Sequence, residues 1–237
     1  MTSNKGENPE NINVLELRNY LLKPNSADRF SQYFHSRFVS TMSELGGHTL
    51  GEFKINGVND RFVWLRGFTN MNARLKFLND FYIRSPAWKE HGKGANEMMI
   101  NSDNVYLLKP LYKNAFLKSD KAFTVIDFYV CNGTLDKVIK LFDAQYIPFL
   151  KTINVHDISF WISEMTENDF PALPVFQEKN LLVTITHFRD KDEYKAKQKA
   201  IVEMPAALKI SMQELITTHT NFLLLNQNAK HWKQTIT

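Results

Sequence analysis

The sequence predicts an α+β fold in which two β-α-β-β-α-β units follow one another and close into a single barrel. Three observations carry this. The apolar residues alternate with period two in several short runs and recur every three to four residues in the runs between them. Asn-Gly pairs stand where tight turns are needed. The order of elements in the first half of the chain returns in the second.

The first strand spans 14–22, where Leu15, Leu17, Asn19 and Leu21 alternate with Glu16, Arg18 and Tyr20. Lys23-Pro24-Asn25 ends it. Ser26 is a suitable N-cap for a helix with Phe30, Phe34, Phe38 and Met42 on one face, and Gly46-Gly47 stops that helix. Runs 49–55 and 61–68 flank Asn56-Gly57 and read as a hairpin. Asn70 or Asn72 caps a helix carrying Leu75, Leu78, Phe81 and Tyr82, which Pro86 breaks or restarts. A short strand, 105–108, completes the unit.

The second unit repeats this order. A strand at 123–131 leads through Asn132-Gly133 and the cap Thr134 to a helix with Val138, Phe142 and Tyr146. Strands follow at 157–163 and 181–188, then a helix opened by Asp190, a further helical stretch after Pro205 through Leu215 and Ile216, and a last strand at 221–225. Pairing Tyr20 with Tyr129, and Phe68 with Phe188, aligns the two units once a longer connection, 165–178, is allowed in the second. Identity between the units is weak, so the repeat rests on order and spacing. The expected division is a disordered tail 1–12, a first half 13–110, a linker 111–121, a second half 122–228 and a C-terminal tail 229–237.

A four-stranded sheet with its helices on one face leaves the other face bare, and closing two such sheets on each other buries both. One chain with two units completes a barrel as a monomer. The helix face carrying Phe77 and Phe81 is the expected place for further homodimerisation.

Composition narrows the function classes. The chain has 237 residues, 43% hydrophobic, and a net charge of +4. Its lysines are dispersed; even Lys109, Lys113, Lys118 and Lys121 between the halves read as a solvated stretch, so no nucleic-acid partner is expected. No apolar run reaches the roughly 20 residues of a membrane span, and the polar start lacks a secretory signal, so a cytoplasmic location is expected. The lone Cys131 reads as a small buried apolar residue. There is no phosphate-binding loop, metal-ligand spacing or nucleophile elbow, and no cofactor is predicted.

Segments of the first half resemble the NIPSNAP family: Glu16-Leu17-Arg18-Asn19-Tyr20 with its Lys23-Pro24 turn, the strand Val63-Trp64-Leu65-Arg66-Gly67-Phe68, and Ser85-Pro86-Ala87-Trp88. The second half keeps Tyr129 and has Asp127 where the first has Arg18. The resemblance implies a dimeric α+β barrel built on the ferredoxin-like unit, a superfamily of cofactor-free monooxygenases, haem-binding proteins and isomerases. The family implies no catalytic residues.

The residues that stand out are Glu16, Arg18, Tyr20, Trp64, Arg66, Asp127, Tyr129 and His187. The expectation is that they line a partly polar, aromatic-walled cavity binding a small hydrophobic or aromatic molecule. Glu16, Arg18 and Arg66 should meet Asp127 and Tyr129 inside the barrel as a charge-balanced cluster near Trp64. The alternatives are a cofactor-free monooxygenase using Arg18, Tyr20 and Trp64, a haem module with His187 or His35 as axial ligand, and a non-enzymatic scaffold whose barrel is filled by side chains.

Overall fold

The computed structural model describes residues 11–113 and 119–227. The expected tails fall largely outside these residues. Ile12, assigned to the N-terminal tail by its sequence, is buried in the barrel.

The strands are β1 (Val14–Leu22), β2 (His48–Ile55), β3 (Arg61–Phe68), β4 (Met99–Asn101), β5 (Val105–Pro110), β6 (Phe123–Cys131), β7 (Ile158–Ser163), β8 (Leu181–Phe188) and β9 (Ile216–Asn226). The helices are α1 (Ala27–Glu44), α2 (Met71–Leu78), α3 (Pro86–Met98), α4 (Leu135–Leu141), α5 (Ile147–Thr152), α6 (Lys191–Val202) and α7 (Ala206–Leu215). A π-helical turn, Asn79–Arg84, joins α2 to α3, and another, Phe142–Tyr146, joins α4 to α5.

Each half forms a ferredoxin-like sheet. The first has the order β5-β1-β3-β2 and the second β9-β6-β8-β7. Two seams, β2–β9 and β5–β7, join the sheets edge to edge into an eight-stranded antiparallel barrel. Short β4 extends the end of β1. The central ladders correspond. Val14 pairs with Phe68 and Tyr20 with Phe62; Phe123 pairs with Phe188 and Tyr129 with Leu182. The sequence alignment of Tyr20 with Tyr129 and Phe68 with Phe188 is therefore the alignment of the two ladders.

Local chemistry accounts for the element ends. Gly57 and Gly133 both have φ of 82 degrees in their turns, a conformation glycine adopts without a Cβ clash. Asn70 caps α2 by accepting a hydrogen bond from the Ala73 amide at 2.8 Å, the usual role of an N-cap side chain. Ser85 caps α3, with Pro86 in the first turn, where its missing N–H costs nothing. Asp190 accepts from the amides of Asp192 and Glu193. Ser26 and Thr134 occupy N-cap positions but make no side-chain cap bond.

Among the described residues, three apolar clusters fill three layers. Leu15, Leu17, Val63, Leu65, Ile126, Phe128, Trp161, Val183 and Ile185 pack inside the barrel. Val14, Tyr20, Phe62, Trp64 and Phe68 lie on the opposite face and meet Phe30, Phe34 and Phe38 of α1 and Phe77 of α2. Phe123, Val125, Tyr129 and Phe188 face α4, α6 and α7. Phe77 and Phe81, expected as an exposed dimerisation face, are buried in the first of these helix layers because α2 and its π turn roll them under the sheet.

The 165–178 connection is not a free loop. Phe170, Leu173 and Val175 pack on the helix layer of the other half. Phe176 runs parallel to β5 at Tyr106; its N–H donates to Val105 O at 2.7 Å and its carbonyl accepts from Leu107 N–H at 3.2 Å.

Candidate functional site

The residues singled out by sequence do not form one site. Alternation along β1, β3 and β6 groups them correctly, but the face they share points outward to the helices, not into the barrel. Glu16, Arg18, Tyr20, Trp64 and Arg66 lie in the first helix layer, and Asp127 and Tyr129 in the second. His187 lies on the barrel-facing side of β8, where its Nδ1 hydrogen-bonds Thr124 Oγ1 at 2.8 Å. Burial lowers the His187 pKa; Asp157 opposes this and Lys121 adds to it. His35 is exposed on α1, its Nδ1 2.9 Å from Glu52. Neither histidine lines the cavity described below.

In the first layer, Glu16 is buried beneath three guanidinium groups. Its Oε2 accepts from Arg18 at 2.9 Å and from Arg66 Nε at 2.8 Å, and its Oε1 accepts from Arg74 at 2.7 Å. Burial alone would raise the Glu16 carboxyl; Arg66, Arg18 and Arg74 outweigh it and hold the group well below the usual carboxylate range. Arg18 Nε donates to the Tyr20 hydroxyl at 2.8 Å, and Arg66 donates to Tyr82 at 3.2 Å. Arg66 also lies over the Trp64 and Phe77 rings, 5.1 and 4.8 Å from their centroids, a placement in which the ring faces attract the cation. The charge-balanced cluster expected from sequence is thus corrected in place and in sign. Asp127 and Tyr129 belong to the other layer, and Arg74, which carries no signal in the sequence, adds a third positive charge.

The second layer is hollow. A cavity of about 310 Å³ lies between the sheet and helices α6 and α7. The ladder correspondence explains it. Glu16 opposite Arg66 becomes Val125 opposite Thr186, and Arg18 opposite Trp64 becomes Asp127 opposite Thr184. Two arginines, a glutamate and a tryptophan give way to smaller side chains, and all of the replacements line the cavity. Tyr129, the counterpart of Tyr20, lines it too.

The polar groups of this cavity converge. His219, on β9 beside β6, places Nε2 2.8 Å from Asp127 Oδ1, and its ring stacks on Tyr129 with centroids 4.5 Å apart and planes 9° from parallel. The Tyr129 hydroxyl hydrogen-bonds Tyr146 and Thr184; burial, then Asp127, raises its pKa well above the ordinary value. Burial also pushes Tyr146 up to about 12. Both phenols therefore stay protonated at neutral pH and act as hydrogen-bonding groups. Sequence reasoning misses His219 because the expected helix runs through Ile216 and the expected strand starts only at 221, whereas β9 begins at Ile216; the β-branched Ile216-Thr217-Thr218 is the available strand signal. Among the described residues no group of three or more His, Cys, Asp or Glu is placed to hold a metal ion, and no helix is long and apolar enough to cross a membrane. Cys131 is buried, and burial pushes its thiol up to about 11.

The fold is that of a dimeric α+β barrel, with both units supplied by one polypeptide. Among solved structures, a candidate monooxygenase from Lactobacillus acidophilus is 10% identical, covering 91% of this chain and 94% of its own, with a TM-score of 0.60. An anthrone oxidase-like protein is 7% identical, covering 93% of this chain and 92% of its own, with a TM-score of 0.57. The likeness to NIPSNAP structures is also found: a NIPSNAP-like domain protein from Burkholderia xenovorans is 23% identical over 43% of this chain and 87% of its own, with a TM-score of 0.38. No family model matches the chain, and no curated protein matches it.

Proposed function

We propose that the protein binds a small aromatic molecule carrying one acidic or carbonyl group in the second-half cavity. The carrying observation is the emptying of this layer at the strand positions that the first half fills with Glu16, Arg18, Trp64 and Arg66. A volume of about 310 Å³, with apolar walls and a few convergent polar groups, is the ordinary form of a small-ligand site. Val125, Leu150 and Phe188 supply apolar wall; Tyr129, Tyr146 and the Asp127–His219 pair supply orientation. In the tautomer whose Nε2–H donates to Asp127, Nδ1 of His219 is left as a proton acceptor.

Titration with 1-naphthol, followed by calorimetry, tests this. Saturable binding is expected in the native protein and its loss in Thr184→Trp, which restores the bulk found at the equivalent first-half position. Binding that survives Thr184→Trp unchanged would refute the reading.

The acceptor also favours a second reading, cofactor-free oxygenation, in keeping with the descriptions of the fold's neighbours. His219 would take the acidic proton of a bound anthrone, and the resulting anion would react with dioxygen. Anthrone and dioxygen give anthraquinone and water. Oxygen uptake with anthrone that disappears in His219→Gln is the expected result; equal uptake in both proteins would remove this second reading and leave the binding role standing.

A further inference from the structure

We infer that the first-half arginine cluster is a binding site for a small organic carboxylate, held shut by Asp169 from the second half. Three guanidiniums, of Arg18, Arg66 and Arg74, share a layer in which all three side chains are essentially unexposed, and Glu16 is the single buried carboxylate bonded to them among the described residues. One carboxylate leaves two positive charges over, and buried charge persists only when it is answered. Arg66 spreads part of its charge over aromatic rings. Arg74 is answered instead by the 165–178 segment of the second half: its Nη1 donates to Asn168 Oδ1 at 3.0 Å and reaches Asp169 Oδ1 only at 3.5 Å.

Asp169 is a poor partner. Its side chain is one-third exposed and touches a single nitrogen of the guanidinium at long range. Arg74 Nη2 is buried with no hydrogen-bond partner among the described residues, and so is Trp64 Nε1 in the same layer. Both orphaned atoms are donors, so what the layer lacks is an acceptor, and the surplus charge makes that acceptor an anion. A ligand carboxylate taking Nη1 and Nη2 together would make the two parallel bonds that the arginine fork favours and that Asp169 does not make. The aromatic surroundings, Phe77, Tyr82 and Phe170, suit a ligand whose remainder is apolar.

Entry requires the 165–178 segment to lift from the first half. Its side chains on that layer are Phe170, Leu173 and Val175, and its ion pair is the partly exposed Asp169–Arg74 contact. A ligand that replaces Asp169 therefore competes with a tethered carboxylate for the same donor.

Calorimetric titration of the full chain carrying Thr184→Trp, which closes the second-half cavity to aromatic acids, with sodium benzoate, and separately with sodium phosphate at matched ionic strength, tests the inference. Benzoate is expected to bind saturably, about fivefold more tightly in Asp169→Asn, the factor that a partly exposed ion pair represents, and not at all in Arg74→Gln. Equal or weaker benzoate binding in Asp169→Asn overturns the inference, as does no binding in either protein. Phosphate binding with the Asp169 dependence, benzoate failing, overturns the carboxylate assignment. Should Arg74→Gln not fold, Asp169→Asn decides alone, since its side chain lies at the surface. Asp169 does not line the second-half cavity, and Thr184→Trp fills that cavity, so the result is independent of the function proposed for it.

Discussion

The two helix–sheet layers are built on matching strand ladders, yet one is occupied by charge and aromatic rings, with a cavity of only about 30 Å³, and the other is open. In the first, α1 lays Phe30, Phe34 and Phe38 against Tyr20, Phe62 and Trp64, and the arginines close the remaining space. In the second, threonines and a valine stand where those large residues were, and the helices span the gap without filling it. A shared backbone therefore fixes where a site can be, while the side-chain volume at a few strand positions fixes whether it exists.

The largest expected effect is at Glu16, whose carboxylate is bonded by three buried guanidiniums. Glu16→Ala should destabilise the protein by about 3–5 kcal/mol or more in urea unfolding, since it leaves those cations without their partner. In the open layer, the His219 partner of Asp127 is half exposed. Asp127→Ala should therefore cost no more than about 1 kcal/mol. Equal costs would break the distinction between a structural and an open layer.

Next in size is Trp64→Thr, which gives the first half the second half's residue type. Trp64 is fully buried. A loss of about 3–5 kcal/mol is expected from the removed ring and the space it leaves. Thr184→Trp, the reverse exchange, should leave the melting temperature near that of the native protein, because it grows into existing volume. Comparable losses in both would mean that the second layer is not free to accept bulk.

The pH dependence should divide along other lines. Burial holds the folded pKa of His187 below its ordinary value of 6.5, so the unfolded chain binds the proton first. The stability this histidine contributes is complete above the unfolded pKa and is lost as pH falls from there through the folded value. His187→Gln should flatten the fall in melting temperature below about pH 6.5. Glu16 also has a depressed pKa. Its contribution is present above the unfolded value of about 4.3 and is lost only as pH falls through the much lower folded value. A stability drop at about pH 5 that survives His187→Gln would point away from this pair of groups.

The smallest effect compares the caps. The Asn70 side chain bonds the Ala73 amide, whereas Thr134 makes no such bond. Asn70→Ala should cost about 1 kcal/mol and Thr134→Ala at most a few tenths of that in thermal unfolding. Similar losses at both positions would remove the capping bond as the cause.

Much of the fold could be read from sequence because its signals are local. The strand bounds of β1, β3, β6 and β8 follow from alternation ended by turn residues, and Asn70, Asp190 and the two Asn-Gly turns follow from backbone preference. Short β4 has too little pattern to detect. The site was only half legible. Alternation says that Glu16, Arg18 and Tyr20 share a face, but not which way the face looks, since both faces of these strands are buried. The purely apolar Leu15, Leu17, Val63 and Leu65 marked the barrel side, and the long charged chains marked the roomier helix side. Arg74 and His219 depend on partners far away in sequence, which no local pattern reveals.

The two seams bear on how the chain must fold. β2 reaches its neighbour through only Phe53, Lys54 and Ile55, whose partners are Asn226, Leu225 and Leu224. A ring closed by residues so distant in sequence has high contact order, and such pairings form late. During synthesis the first half would emerge complete in its own four strands while β2 still lacked its outer neighbour. Its backbone groups would face water or a chaperone until β9 had left the ribosome, so the edge of β2 is open to pairing with a wrong strand during that interval.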